Sequence, residues 1–384
     1  MRTSTRGEVD PFIVMDVMEA ARREEAAGRG VIHMEVGQPG RGAPEAAQAA
    51  LAAALGQSAL GYTVALGIPA LREGIARLYG DWYGLDLDPA RVVVTSGSSA
   101  AFLLAFTSLF EPGERVAIGE PGYPSYRNIL KCLDLEPVGI QTRAEDRFQP
   151  RPEDLGADLA GLLVASPANP TGTVLEKPEM AALIGAAAEL GIAFISDEIY
   201  HGIDFGRRAV SALEVSDDVY VINSFSKYFC MTGWRVGWMV VPPDHVRRIE
   251  RLTQNMFICP PHASQVVALG ALEAREELEA QVRAYGANRA LLLEGLPKAG
   301  FGRITAPDGA FYIYADVSDL TSDSRDLAAR ILREAGVALT PGLDFDPKRG
   351  HRTLRFSFAG STEDMEEGLR RLVTWREGAR VTGA

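Results

Sequence analysis

A chain of 384 residues with 47% hydrophobic content is long enough for about two or three domains and too apolar to be disordered as a whole. Its formal net charge of -12 excludes a broad basic face for nucleic acid or an anionic membrane, so any anion site has to be local. Three widely spaced cysteines (Cys132, Cys230, Cys259) give neither a disulfide framework nor a metal pattern, so no metal is expected and a reducing cytoplasm fits.

The first ten residues are polar, and the apolar stretch from Phe12 to Met18 is interrupted by Asp16, so no signal-peptide core is expected. No run of about 18 apolar residues predicts a membrane span. Residues 11–28 carry apolar positions at helical spacing and end at Gly28, which predicts a helix. Val31 to Val36 reads as a strand, stopped by Gly37-Gln-Pro-Gly40, which is either a plain turn or backbone approaching a ligand. Pro44 to Leu55 predicts an alanine-rich helix, and Gly61-Tyr62-Thr63 with Gly67-Ile-Pro-Ala-Leu-Arg72 leads into another through Tyr79.

From Arg91 the rhythm changes. Short apolar runs at Val92 to Val94, Val116 to Ile118, Leu162 to Val164, Ile192 to Ile195, Val219 to Ile222 and Val236 to Val241 alternate with helical segments such as Ala100 to Phe110 and Glu179 to Leu190. Continuous β-branched runs separated by helices predict an α/β fold, with a mostly parallel buried sheet flanked by helices. After a long helix expected from His262 to about Tyr285, Phe311 to Ala315 and Leu354 to Phe358 alternate like strands, and Asp326 to Ala335 reads as a helix. A smaller α+β domain is therefore expected. The division predicted is a segment 1–40 joining the small domain, a large domain over 41–270 and the small domain over 271–384.

Ligands of such sheets bind beyond the carboxyl ends of the strands, so the residues after each run matter most. Thr95-Ser-Gly97-Ser98-Ser99 opens a helix and can present N–H groups and hydroxyls to a phosphate, although serine and glycine are also ordinary helix caps. Ser224 and Arg235 offer a further hydroxyl and a fixed cation. Tyr123, in Glu120-Pro-Gly-Tyr123-Pro-Ser-Tyr126, can stack on a planar ring or simply pack its loop. Asp197 can sit against a ring nitrogen or cap a helix, and Asn169 and Tyr200 can donate to a ring oxygen or serve a turn and a core. Lys227 follows an apolar run among aromatic neighbours, where burial lowers an amine's pKa, unless it snorkels from a strand end. Phosphate, ring, ring nitrogen and amine together describe pyridoxal 5'-phosphate held as a Schiff base.

At these residues the sequence resembles the class I and II aminotransferases of the fold type I pyridoxal-phosphate enzymes. The resemblance runs from Gly37 to Arg355, with Asn169-Pro-Thr-Gly172, Asp197-Glu-Ile-Tyr200, Ser224-Phe-Ser-Lys227 and Gly233-Trp-Arg-Val-Gly237 in the family order. It implies Lys227 as the Schiff-base lysine, Asp197 at the pyridine nitrogen, Asn169 and Tyr200 at the ring hydroxyl and Tyr123 on the ring. Gly97, Ser98, Ser99, Ser224 and Arg235 would hold the phosphate. Arg355 would grip the substrate α-carboxylate beside Gly37 and Asn169, and Tyr62 would reach the phosphate of a neighbouring subunit in a homodimer. The implied reaction moves an amino group between an α-amino acid and a 2-oxo acid by ping-pong steps. The prolines of Ser166-Pro-Ala-Asn169-Pro are expected after cis bonds.

Rival readings are a C–S β-lyase or synthase on the same cofactor, which these motifs do not separate, and a serine hydrolase using Ser224-x-x-Lys227. The hydrolase lacks its Ser-Asp-Asn and Lys-Thr-Gly partners here. A transcription regulator would need a DNA-binding domain, for which the 36 residues before Gly37 are too few and too acidic. For the substrate side chain, Phe12, Ile13 and Phe311 suggest an apolar pocket suited to neutral or aromatic amino acids. Arg41, Arg349 and Arg352 lie near motif segments but read better as surface arginines. Gly342-Leu-Asp-Phe-Asp346 departs from the Gly-x-x-Phe-Gly of relatives and leaves the loop before Arg355 open.

Overall fold

The computed structural model describes residues 1–382. Helix α1 (Ile13–Ala26) leads to a short strand β1 (Ile32–His33), then α2 (Glu45–Leu55) and α3 (Pro69–Tyr83). Strands and helices then alternate: β2 (Val92–Thr95), α4 (Ser98–Leu109), β3 (Arg115–Glu120), α5 (Pro124–Cys132), β4 (Glu136–Gln141), β5 (Gly161–Ala165), α6 (Lys177–Leu190), β6 (Ala193–Asp197), β7 (Tyr220–Ser224) and β8 (Gly237–Val240). Helices α7 (Val246–Met256), α8 (His262–Ala271) and α9 (Arg275–Gly295) lead to β9 (Arg303–Thr305) and β10 (Tyr312–Asp316). The remainder is α10 (Ser324–Ala335), β11 (Val337–Ala338), β12 (Thr340–Pro341), β13 (Thr353–Ser357) and α11 (Thr362–Thr382).

Seven strands form one sheet in the order β2-β8-β7-β6-β5-β3-β4. Its pairings are parallel from β4 through β3, β5 and β6 to β7, and β8 runs antiparallel to both β7 and β2. Side chains alternate between two cores, as a pleated strand requires. Val93, Leu163, Ile195, Ile222 and Met239 pack with Phe102 and Phe106 of α4, while Val94, Leu162, Val164, Val221 and Val240 join the core that holds Leu183 and Ala268. Both faces are therefore covered, which is why these strands read as unbroken apolar runs rather than alternating ones. The second sheet, β12-β13-β10-β9, is antiparallel, and β1 pairs with β11. The expected α/β architecture, with a mostly parallel sheet and a smaller α+β portion, is what the chain adopts. Among the described residues no helix is long and apolar enough to cross a membrane.

Helix α6 shows how local sequence sets these limits. Glu176 and Glu179 form a reciprocal capping arrangement at its start, and Gly191, at φ 68°, ends it in a left-handed conformation that a side chain would resist. Two expectations fail. The helix expected from His262 to Tyr285 is two helices, broken over 272–274, although Leu-Glu-Ala is good helix-forming sequence. Packing overrides propensity there: α8 lies against α2 through Gly270, while Asn288 of α9 donates to the carbonyls of Phe358 and Gly360. The strand expected from Val31 to Val36 pairs only at Ile32 and His33. Beyond it, Met34 bonds to Ala338 and Ser357, and the chain turns so that the Glu35 carbonyl accepts from Arg355.

Candidate active site

The strand ends converge on a cavity of about 550 Å³. Lining it are Gly37, Ser98, Ser99, Tyr123, Asn169, Asp197, Tyr200, Lys227, Arg235 and Arg355, together with Tyr126, Tyr312, Gln38, Thr232 and an apolar group from the N-terminal segment. With Phe12 of that apolar group, eleven of the sequence-predicted residues thus share one space, drawn from segments spread over more than 300 positions.

Lys227 stands in a turn directly after β7. Phe225 locks that turn from below, packed on Phe229 and Trp238 with ring centroids 4.7 and 5.0 Å away, and Phe225 N–H and C=O bond to Val236 and Met231. The Nζ donates to the Gly37 carbonyl at 2.5 Å. Burial removes the ammonium from water, and the guanidinium groups of Arg355 and Arg235 repel it, so its pKa falls to about 7 despite the attraction of Asp197. This is an amine poised near neutrality.

Asp197 ends β6. Its Oδ1 accepts the Ile199 N–H at 3.0 Å, and the Tyr126 hydroxyl donates to Oδ2. Burial lifts its pKa to about 6, while the Tyr126 and Ile199 hydrogen bonds and Lys227 oppose that rise. A fully buried carboxylate that is still charged at neutral pH is suited to face a cation. Tyr126, near the start of α5, takes a role that its place in Glu120-Pro-Gly-Tyr123-Pro-Ser-Tyr126 does not signal.

On another side α4 begins without any side-chain cap, so its first N–H groups and the hydroxyls of Ser98 and Ser99 are free to meet an anion. Gly97 is required by its neighbours as well as by its φ of 78°: a Cβ there would come within 2.5 Å of Arg235 Nη2. Strand β8 passes just as close, since a Cβ at Gly237 would lie 3.0 Å from Ser98 N. Gly97 therefore backs the cradle without lining the cavity. Ser224 is also set back, its hydroxyl bonded to Ser226 at 2.8 Å and to the Val236 carbonyl at 3.2 Å, while Ser226 reaches the cavity.

Arg355, on β13, sandwiches its guanidinium between the Tyr312 and Phe345 rings at 4.3 and 4.8 Å. Its Nη1 donates to Asn169 Oδ1 at 2.9 Å and its Nη2 to the Glu35 carbonyl and to Thr340 Oγ1 at 3.3 Å. Its buried Nε has no hydrogen-bond partner among the described residues. A buried donor of this kind fits a site made for an acceptor that is not protein. Asn169 lies in a loop with cis bonds before Pro167 and Pro170, as expected, and a third precedes Pro121. Tyr200 and Tyr312 share a hydrogen bond of 2.7 Å between their hydroxyls. Tyr312 was missed because it reads as one more residue of an apolar strand.

Some residues fall elsewhere. Tyr62 is 84% exposed and does not line the cavity of its own chain. Ile13 and Phe311 do not line it either: Phe311 is fully buried in the core, whereas Phe12 is at the cavity wall. Arg349 is tied to Asp346 at 2.8 Å and to the Thr142 and Glu120 carbonyls, and Arg41 and Arg352 are exposed. None of these three arginines reaches the cavity.

The sequence model for aminotransferase class I and II matches residues 29–372. This chain belongs to that family. It is 46% identical to the valine–pyruvate aminotransferase of Mycobacterium tuberculosis over 381 residues, covering 97% of this chain and 98% of that protein. A solved structure from Silicibacter pomeroyi is 64% identical with a TM-score of 0.94, over 98% of this chain and 100% of that one. The aspartate aminotransferase of Thermus thermophilus with maleate is 32% identical with a TM-score of 0.91, over 98% and 100%. The chain is an aminotransferase of fold type I, and the C–S lyase or synthase reading is not favoured, since the named relatives move amino groups.

Proposed function

We propose that this aminotransferase works with pyridoxal 5'-phosphate held by Lys227, and that the residues around the cavity divide its tasks as the sequence implied. The carrying observation is the half-buried Lys227 amine, whose pKa is lowered to about 7 by desolvation and by the Arg355 and Arg235 guanidinium groups, against the pull of Asp197. The donor set fits the cofactor: an uncapped helix start with Ser98, Ser99 and Arg235 for a phosphate, Tyr123 for a ring face, Asp197 for a ring nitrogen, and Asn169 and Tyr200 for a ring hydroxyl. When bound, the cofactor supplies an electron sink that acidifies the substrate Cα–H.

The chain's own residues do the rest. Arg355 offers its fork to the substrate α-carboxylate, already aligned by two aromatic rings and by Asn169. Asp197, ionised at neutral pH, would favour a proton on the ring nitrogen of the bound cofactor, and Tyr126 holds the carboxylate in register. With the cofactor bound, Lys227 would take the proton from the substrate Cα and return it to the carbon that becomes the cofactor's aminomethyl group, which an amine of pKa near 7 does well at neutral pH. Gly37 gives Lys227 a resting place through its carbonyl. Water then completes the half-reaction, and a 2-oxo acid reverses it, giving ping-pong kinetics.

Tyr62 and Val64 are exposed, as are Met256 and Ile258 on a segment that Thr63 N–H joins through Cys259 Sγ at 3.4 Å; a second copy covering these side chains would bring Tyr62 to that copy's phosphate site. Sedimentation at twice the 41.4 kDa chain mass is expected, and a monomer would contradict this arrangement. The strands of the large sheet all fall within the proposed 41–270 unit, and β1 pairs with β11 of the proposed 271–384 unit. Three free cysteines accord with a cytoplasmic setting.

A half-reaction screen tests the function. The yellow protein should lose its visible band when a suitable amino acid is added without a 2-oxo acid, and regain it with one. Release of pyruvate and ammonia with the band intact would instead indicate a lyase.

A further inference from the structure

Helix α1 begins without a side-chain cap of its own, because Phe12 at the N-cap position has none to give. Its first two N–H groups are nonetheless satisfied. Ile13 N–H donates to Asp344 Oδ1 at 2.9 Å and Val14 N–H to Oδ2 at 3.2 Å, across more than 300 residues of chain. Asp344 is only 2% exposed and lies in the turn Gly342–Asp344 that follows β12. A carboxylate bonded to both N–H groups also complements the positive end of the helix.

Helix α1 has two apolar faces. Val17, Ala20 and Ala21 pack on Leu332 and Ala338, which attaches the helix to α10 and β11. The neighbouring stripe, Val14, Met15 and Met18, lines the active-site cavity with Phe12 and Val36. The cations that line that cavity are Lys227, Arg235 and Arg355, and each already has a task in the proposed reaction. The wall made by α1 thus offers contacts to hydrocarbon and none to a side-chain carboxylate.

The turn that carries Asp344 also touches the carboxylate grip. Phe345 stacks on the Arg355 guanidinium at 4.8 Å, its carbonyl accepts from Gly122 N–H at 3.0 Å beside Tyr123, and Thr340 just before the turn bonds Arg355. One short segment therefore fixes both the place where an α-carboxylate would be held and the wall that its side chain would reach.

We propose that Asp344 is a positioning residue that clamps α1 as the side-chain wall of the site, and that this wall selects α-amino acids with neutral, apolar side chains. The proposal rests on the aminotransferase reading above and deepens it. The clamp sets the distance from Arg355 to Val14, Met15 and Met18, so it matters for a side chain long enough to reach α1 and little for a methyl group.

The test compares leucine, alanine and glutamate as amino donors in the half-reaction, using wild-type holoenzyme, Asp344→Asn and Met18→Ala. Binding of the unreactive acids 4-methylpentanoate and succinate is measured in parallel by calorimetry. Wild type should favour leucine over glutamate in kcat/KM and bind 4-methylpentanoate more tightly than succinate. In both variants the leucine-to-alanine ratio of kcat/KM should fall by about 10-fold, the scale of a mismatched apolar pocket, mostly through KM. A preference for glutamate, or for succinate, overturns the apolar wall. Equal loss on leucine and alanine in Asp344→Asn overturns the positioning role. If no amino acid discharges the colour, the aminotransferase reading falls, and the two acids still decide whether the wall is apolar.

Discussion

Lys227 is defined by what surrounds it more than by its turn. Burial and two guanidinium groups bring its pKa from 10.5 to about 7, with Asp197 acting in the opposite direction. Only the neutral amine attacks an aldehyde, so capture of pyridoxal phosphate by the cofactor-free protein should accelerate from pH 6 to 8 and level off above. A rate still climbing in proportion to hydroxide at pH 9, as for an exposed lysine, would contradict this. The sign for stability follows from the same shift. The folded chain holds fewer protons on this residue than the unfolded chain between pH 7 and 10.5, so Lys227 makes the cofactor-free fold more stable as pH rises through that window. The depressed pKa was legible in the sequence from aromatic neighbours. The Tyr126 donor to Asp197 and the Asp344 cap on α1 were not, because each joins residues far apart in the chain and neither tyrosine nor aspartate is unusual where it stands.

At the scale of elements, buried parallel strands were the easiest to read, since β2, β5, β6 and β7 are apolar on both faces. Strand β4 was invisible: Glu136-Pro-Val-Gly-Ile-Gln141 is interrupted by a glycine and by a proline, which a sheet tolerates at its edge, and β4 does lie at the sheet edge. The break between α8 and α9 was equally hidden, because it is imposed by packing on α2. That packing makes a prediction. A Cβ at Gly270 would lie 2.9 Å from Ala46 O, Ala47 Cα and Ala50 Cβ, so most of the obstruction is backbone. Gly270→Leu should therefore cost about 1–3 kcal/mol by urea unfolding, seen as a lower midpoint at unchanged slope. An unaltered midpoint would mean that the two helices do not approach as closely as described.

For the whole molecule, the net charge of -12 and the cationic site are compatible because Lys227, Arg235 and Arg355 are concentrated in one cavity. The motif order revealed the large sheet and its strand-end residues, but the exposed Tyr62 has no place in the cavity of its own chain. The chain has five lysines: Lys131, Lys177, Lys298 and Lys348 are exposed, and Lys227 alone lies within the cavity. The most direct measurement is borohydride reduction of the yellow holoenzyme, then peptide mass mapping. A pyridoxyl group on the peptide containing Lys227 is predicted, and its loss together with the colour in Lys227→Ala. A pyridoxyl group on any of the other four lysines, or a Lys227→Ala protein with the same visible spectrum, would contradict the account.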